Sequence, residues 1–262
     1  MEELPGLVLF GDVIGSRKDR AGSSVWLRDL VPELDDAYGD QRLAPFDFIQ
    51  GEELQGLLVA EADPLVAVLH AALGQAARPI RWVCVRGGVD RGEGPATQRT
   101  GQAFLAARET IEAARSGHER LVIRTGRSDV DELLADMTPA LADLLEGLTA
   151  RQRAVARLAL IEGLRQSEIA ERLGVRRATI SVSFGRARVQ SVQRLVAAIR
   201  RVYSSAGASA GDEAWTGAEG TGDGAWTGAE DGSWPYPAAL PRMVVGALAS
   251  IPAPGWRDLA VA

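Results

Sequence analysis

The most informative stretch of the sequence is LTARQRAVARLALIEGLRQSEIAERLGVRRATISVSFGRAR, residues 148–188. Five positions in it have the spacing of a helix-turn-helix: Gln166, Ala170, Gly174, Val175 and Ile180. A small residue such as Ala170 lets the two helices approach closely. Gly174 stands at the turn, where a positive φ costs glycine little. The spacing therefore predicts a helix-turn-helix, with its second helix running from about Arg176 to Arg201.

Positive charge is concentrated around this motif. Residues 148–203 contain twelve arginines and three glutamates, whereas the whole chain has a formal net charge of −6. A basic patch on a helix-turn-helix predicts DNA binding. The alternative is a three-helix bundle for protein contacts, whose arginines only add solubility in a chain with 28 arginines and one lysine.

The exposed positions of the motif fall into two groups. Arg176, Arg177 and Ser181 are expected to reach base edges in a major groove. Three further arginines are better placed to contact phosphates. The full predicted DNA-binding set is Arg172, Arg176, Arg177, Thr179, Ser181, Arg186 and Arg188.

The segment resembles region 4 of bacterial sigma factors and related regulators over about 55 residues, 148–203. The resemblance implies DNA recognition by the second helix, with RNA polymerase as a further partner. The family usually has Ser or Thr at the N-caps of both motif helices, whereas this sequence has Arg165 and Arg176 there. A weaker cap costs about 1 kcal/mol, so the motif is expected to fold.

The N-terminal half alternates strand and helix patterns. Strands are expected at residues 7–10, 80–85 and 121–123, a hairpin at 46–59, and helices at 23–38, 64–73 and 101–115. This order predicts an α+β domain, a palm or ferredoxin-like antiparallel sheet covered by helices. We predict four segments: the α+β domain at 1–126, a connecting helix broken at Pro139 at 127–147, an all-α helix-turn-helix domain at 148–203, and a disordered low-complexity tail at 204–262 with a short C-terminal helix.

Two carboxylates mark a candidate metal site. Asp12 follows the first strand next to Gly11, and Glu52 lies at the hairpin tip next to Gly51. The strand and the hairpin tip are expected side by side, so Asp12 and Glu52 are candidates to share one divalent cation. The alternative is structural, with Asp12 capping a turn and the hairpin-tip carboxylates in solvent.

Four motifs resemble the SatD family in their order along the chain: GDVIGSR from Gly11, GEELQGL from Gly51, RGGVDRG from Arg86 and GQAF from Gly101. SatD proteins pair such a domain with a C-terminal helix-turn-helix. The same motifs are more distantly similar to the palm of class III nucleotidyl cyclases and GGDEF enzymes. That likeness implies Mg²⁺ with a nucleotide at Asp12 and Glu52, and a cofactor lying against Gly11, Gly51 and Gly101.

The sequence departs from the cyclase pattern at three positions. Glu52 replaces an aspartate, Leu105 stands where cyclases have an asparagine, and Arg108 is one residue early. We therefore predict a DNA-binding transcriptional regulator whose N-terminal domain senses a nucleotide or metal, or mediates self-association. The alternative is a divergent Mg²⁺-dependent nucleotidyl cyclase or transferase controlled by its helix-turn-helix.

Cellular context follows from what the sequence lacks. It shows neither a signal-peptide pattern nor a run of 18 apolar residues, so we expect a cytoplasmic protein that does not enter a membrane. Cys84 is the single cysteine, so an intrachain disulfide is impossible. One helix-turn-helix contacts one half-site, so a homodimer is a further expectation.

Overall fold

The computed structural model describes residues 3–49, 52–74 and 76–207. Gly51 lies outside this part of the chain. So does the tail predicted at 204–262 from residue 208 onward, including its short C-terminal helix. The strands and helices are β1 (Glu3–Val13), α1 (Arg20–Tyr38), β2 (Arg42–Ile49), β3 (Glu53–Val59), α2 (Leu65–Leu73), β4 (Ile80–Asp90), α3 (Gln102–Ser116), β5 (Leu121–Arg124), α4 (Ser128–Glu146), α5 (Ala150–Leu160), α6 (Gln166–Arg172), α7 (Arg177–Arg186) and α8 (Val189–Ser205).

One five-stranded sheet forms the N-terminal half, in the order β2-β3-β1-β4-β5. All neighbouring strands are antiparallel except β4 and β5, which are parallel. The central strand β1 is buried along most of its length because its run of apolar residues packs on both faces of the sheet. This confirms the predicted α+β class and its order of strands and helices.

The two faces of the sheet are covered differently. Helix α3 packs on one face, where Phe10 meets Phe104 edge to face with ring centroids 6.1 Å apart. Helices α1, α2 and α4 cover the other face, and their core continues without a break into the C-terminal helices. Leu9 of the sheet and Ile199 of α8 thus belong to one apolar cluster.

The prediction that Pro139 breaks the connecting helix is wrong. Helix α4 runs from Ser128 to Glu146 with Pro139 inside it. Proline cannot donate the hydrogen bond to the carbonyl four residues earlier, which weakens a helix locally. Here the buried side chains of Leu134, Leu141 and Leu145 keep both halves of the helix against the core.

The predicted single helix from Arg176 to Arg201 is also wrong. Arg188 has a left-handed φ of 48° and divides the segment into α7 and α8. The break has a packing reason, because α7 buries only Ile180 whereas α8 buries Val192, Ile199 and others. One continuous helix would not leave α7 on the surface while α8 joins the core.

Candidate nucleic-acid interface

Helices α6 and α7 form the predicted helix-turn-helix. Ile169, Ala170 and Ile180 are buried between the helices. Gly174 has a φ of 63°, and Val175 N donates to Ala170 O at 2.9 Å across the turn. The positive φ explains why a glycine stands at this position.

The two motif helices begin without the usual side-chain caps. The residue at the N-cap of α6 is Arg165, whose backbone N–H donates to Glu168 Oε2 at 2.6 Å. Arg176 is the N-cap of α7, and its side chain makes no capping hydrogen bond. Helix α5, in contrast, begins with a capping box, in which Thr149 and Gln152 exchange backbone-to-side-chain hydrogen bonds.

Six of the seven predicted DNA-binding residues are exposed on or beside the helix-turn-helix. Arg176, Arg177 and Ser181 are exposed at the start of α7, whereas Thr179 is half-buried. The arginines expected to contact phosphates are also exposed: Arg172, Arg186 and Arg188. No acidic residue occurs within α7, so its exposed surface is uniformly neutral or positive.

Sequence reasoning missed Val182 at this surface. Its side chain is 54% exposed on α7, two positions after the buried Ile180. That spacing on a helix places the two side chains on nearly opposite faces, and this is the signal that identifies Val182. An exposed valine beside Ser181 offers an apolar contact of the type that reads a thymine methyl group.

An ion-pair cluster attaches α5, the helix before the helix-turn-helix, to the N-terminal half. Arg157 of α5 donates to Glu33 Oε1 of α1 at 2.8 Å, and His70 Nδ1 of α2 lies 2.6 Å from the same oxygen. Burial alone would raise the pKa of Glu33, but the hydrogen bond to His70 and the charge of Arg157 outweigh it and lower the pKa. The Glu33 carboxylate therefore stays ionised in this contact.

Helix α8 makes a second set of contacts with the N-terminal half. Arg200 pairs with Asp63 Oδ2 at 2.6 Å. The Tyr203 hydroxyl donates to Ala60 O at 3.1 Å, and the Arg86 guanidinium lies 4.2 Å above its ring centroid. Burial raises the pKa of Tyr203 to about 12, so its hydroxyl remains a donor. These contacts and the shared core fix the orientation of α7 relative to the sheet.

At the predicted metal site, arginines already hold the carboxylates. Asp12 pairs with Arg81 at 2.8 Å and with Arg115 at 3.2 Å, and it raises the pKa of Arg115. Glu52 accepts a hydrogen bond from Arg20 at 3.0 Å. In this arrangement arginines balance both carboxylates, so a Mg²⁺ ion would have to displace them. Within the described residues, no group of three His, Cys, Asp or Glu could hold a metal ion.

The glycines predicted to contact a cofactor have packing roles where they are described. A Cβ on Gly11 would lie 2.7 Å from Ile80 Cδ1, on the sheet face that carries Trp82. Gly101 has a φ of 131° and lies so close to β4 that a Cβ would meet Val89 Cα at 2.6 Å. Cofactor binding at Gly11, Gly51 and Gly101, like Mg²⁺ at Asp12 and Glu52, stays a prediction.

Comparisons with known proteins gave a family match and a similar crystal structure. Residues 139–190 match the family model described as Sigma-70, region 4, which confirms the predicted similarity to that helix-turn-helix. No curated protein matches the chain. A crystal structure of a regulator of polyketide synthase expression from Bifidobacterium adolescentis is 15% identical, covering 79% of this chain and 81% of that one with a TM-score of 0.25. A TM-score this low supports no inference about fold or function.

Neither match names the SatD family or the cyclase palm, so both resemblances stay predictions. Within residues 3–49, 52–74 and 76–207, no helix is both long and apolar enough to cross a membrane.

Proposed function

We propose that this protein is a transcriptional regulator that binds duplex DNA in the major groove with α7. The observation that carries the proposal is the exposure of Arg176, Arg177 and Ser181 at the start of α7, within a segment similar to Sigma-70 region 4. In a helix-turn-helix, the N-terminal residues of the second helix contact base edges. Arg172, Arg186 and Arg188 flank these residues and supply phosphate contacts.

We further propose that the N-terminal domain is the regulatory half. Support comes from the ion pairs Glu33–Arg157 and Asp63–Arg200, which attach α5 and α8, the helices on either side of the helix-turn-helix, to the N-terminal half. A change in the packing of α1 or α2 would therefore change the position of α5, and a change in α5 would change the position of the helix-turn-helix. More specifically, we propose that this domain senses Mg²⁺ with a nucleotide and that the protein is a member of the SatD family. The departures from the cyclase pattern at Glu52, Leu105 and Arg108 favour a sensor over a cyclase.

Selection from a pool of random-sequence duplexes tests sequence-specific binding. The wild-type protein is expected to enrich one motif. Ser181→Ala and Val182→Ala are expected to relax the preference at one or two positions, because each bidentate or methyl contact contributes about 1–3 kcal/mol of discrimination at its base pair. Arg172→Ala is the matched control: it should weaken binding to all sequences and leave the motif unchanged.

Failure to enrich any motif would contradict a sequence-specific regulator. If the protein then binds purified RNA polymerase, the helix-turn-helix is a polymerase-binding module, which is the alternative function. A palindromic enriched motif would support the predicted homodimer, since two half-sites reflect a two-fold axis in the protein.

A further inference from the structure

Exposed positive charge is concentrated on the last two helices of the described fold. Residues 172–207 contain eight arginines and no acidic residue. Six of these arginines are exposed on or beside α7 and α8, and we call them the basic surface: Arg176, Arg177, Arg186, Arg188, Arg194 and Arg201. Val182 adds an apolar side chain that is 54% exposed. The N-terminus of α7, where Arg176 and Arg177 stand, is also the positive end of that helix's dipole, so this surface attracts an anionic partner.

The part of the chain that follows α8 has the opposite charge. Residues 208–262, which lie outside the described residues, carry seven acidic and two basic residues. Six of the seven acidic residues fall within residues 211–231, a stretch without any basic residue that we call the acidic segment. These six are Asp212, Glu213, Glu219, Asp223, Glu230 and Asp231. The strongest negative run of the sequence thus comes directly after its strongest positive run.

The acidic segment contains one short sequence twice. GDEAWTGAE begins at Gly211 and GDGAWTGAE begins at Gly222, so Trp215 and Trp226 each stand between carboxylates. Carboxylates form charge-assisted hydrogen bonds with guanidinium groups. An indole ring stacks on a guanidinium with a gain of about 0.5–2 kcal/mol, and it also packs against an apolar side chain such as Val182. Each copy therefore combines the two kinds of group that suit the basic surface.

The acidic segment is attached close enough to reach the basic surface. Helix α8 has 17 residues, so its two ends are about 25 Å apart at a rise of about 1.5 Å per residue. Trp226 comes 19 residues after Gly207, where the described chain ends, and a chain of that length spans up to about 60 Å. The second copy can therefore reach α7, and the first can reach α8. Covalent attachment gives the segment an effective concentration on the order of millimolar, so even a weak contact is well populated.

We propose that the acidic segment, residues 211–231, docks on the basic surface of its own chain and competes there with DNA. The N-terminal half is a poorer partner, since residues 1–147 carry 25 acidic and 15 basic residues. The docked segment pairs with arginines that would otherwise contact phosphates, so a duplex must displace it. The competition rests on the proposed DNA binding, whereas the docking does not.

Paramagnetic broadening of the tryptophan indole N–H resonances tests the docking in the full chain. One spin label is placed on α7 through Gly185→Cys, and a control label is placed on an exposed loop of the N-terminal half through Glu93→Cys. Cys84 has no exposed surface, so each variant takes up one label. At low salt the α7 label should broaden the resonances of Trp215 and Trp226, assigned by their loss in the Trp→Phe variants, and the control label should leave them sharp. High salt should restore them, because it screens the charges.

Two results would overturn the docking. The first is that Trp215 and Trp226 stay sharp with the α7 label, or are broadened equally by both labels. The second is broadening in a mixture in which spin-labelled chains carry no isotope and isotope-labelled chains carry no spin label, since the segment would then lie on a second copy.

Neutralising the acidic segment tests the competition. Changing its six acidic residues to Asn or Gln should raise the affinity for a random-sequence duplex about tenfold at low salt, because the attached competitor is lost. The matched control neutralises six exposed acidic residues of the N-terminal half: Asp36, Asp40, Glu61, Glu93, Glu109 and Asp136. It should raise the affinity less than about twofold, since these charges act on DNA only through the long-range field, which salt screens. Equal gains in the two variants would overturn the competition. If neither protein binds DNA, the proposed function fails, and the broadening experiment still decides the docking.

Discussion

The thiol of Cys84 lies in β4 with no exposed surface, packed between the sheet and the helices above it. Its side chain belongs to the apolar cluster that also includes residues of α1, α2 and α4. Burial raises the pKa of Cys84, so the reactive thiolate is scarce at neutral pH. This residue therefore serves packing in the described fold.

We predict that Cys84 does not react with a thiol reagent while the protein is folded. Ellman's reagent should give no release of its coloured product in native buffer and one equivalent in concentrated guanidinium chloride. Fast stoichiometric reaction of the native protein would mean that β4 is accessible and that the core is packed differently.

Residues whose role depends on local backbone geometry were the most predictable. Gly174 was expected at the turn from its spacing alone, and its positive φ confirms this. Partners across long distances were not predictable. The sequence gives no local signal that Arg157 pairs with Glu33, 124 positions away, or that Arg81 and Arg115 hold Asp12. Such pairs depend on the three-dimensional packing of separate helices.

At the scale of elements, the division between α7 and α8 shows that helical spacing of apolar residues does not predict where one helix ends and the next begins. Apolar residues continue at helical intervals across Arg188, so the pattern predicts one helix. The chain instead turns at a left-handed arginine, because α7 and α8 pack against different neighbours. Pro139 is the opposite case. Proline normally breaks a helix, but α4 continues through it because the helix packs against the core on both sides of this residue.

The turn of the helix-turn-helix offers a matched pair of substitutions. Gly174→Ala should destabilise the protein by about 1–2 kcal/mol, because an alanine at a φ of 63° carries the left-handed penalty while its Cβ meets no neighbouring atom. Gly185→Ala lies inside α7 with equally open surroundings and should stabilise by about 0.5–1 kcal/mol. Thermal or urea unfolding measures both, and equal effects of the two variants would contradict the assigned turn.

At the scale of the whole molecule, the sheet and the helix-turn-helix share one core and several ion pairs. The proposed segments at 1–126, 127–147 and 148–203 thus meet along α2–α5 and α4–α8 contacts. In the sequence, positive charge is concentrated in residues 148–203, whereas the whole chain has a net charge of −6. The structure adds that opposite charges from the two halves form pairs at their junction, namely Glu33–Arg157 and Asp63–Arg200.

This junction should respond to acid. The pKa of Glu33 is lowered in the folded protein, so its contribution is complete above the unfolded value of 4.5 and is lost as the pH falls through the lower folded value. Glu33→Gln should lower the free energy of unfolding by about 1–2 kcal/mol at neutral pH, since the pair is partly buried. Urea unfolding of both proteins between pH 7 and pH 3 should show this difference shrinking below about pH 4.5. A difference independent of pH would contradict the ionised pair.

DNA binding by the exposed basic surface of α7 is the central claim, and its salt dependence tests it most directly. Fluorescence anisotropy with a labelled random-sequence duplex should show log affinity falling linearly with log salt, by about 0.9 for each phosphate contacted. A random-sequence duplex offers these arginines no preferred base, so Arg176 and Arg177 act there through their positive charge. Arg176→Ala with Arg177→Ala should therefore weaken binding at least about tenfold and flatten the slope by up to about 2. Arg17→Ala with Lys18→Ala removes the same charge from an exposed turn of the N-terminal half and should change little. Equal affinity and slope for the wild type and the α7 variant would contradict the account.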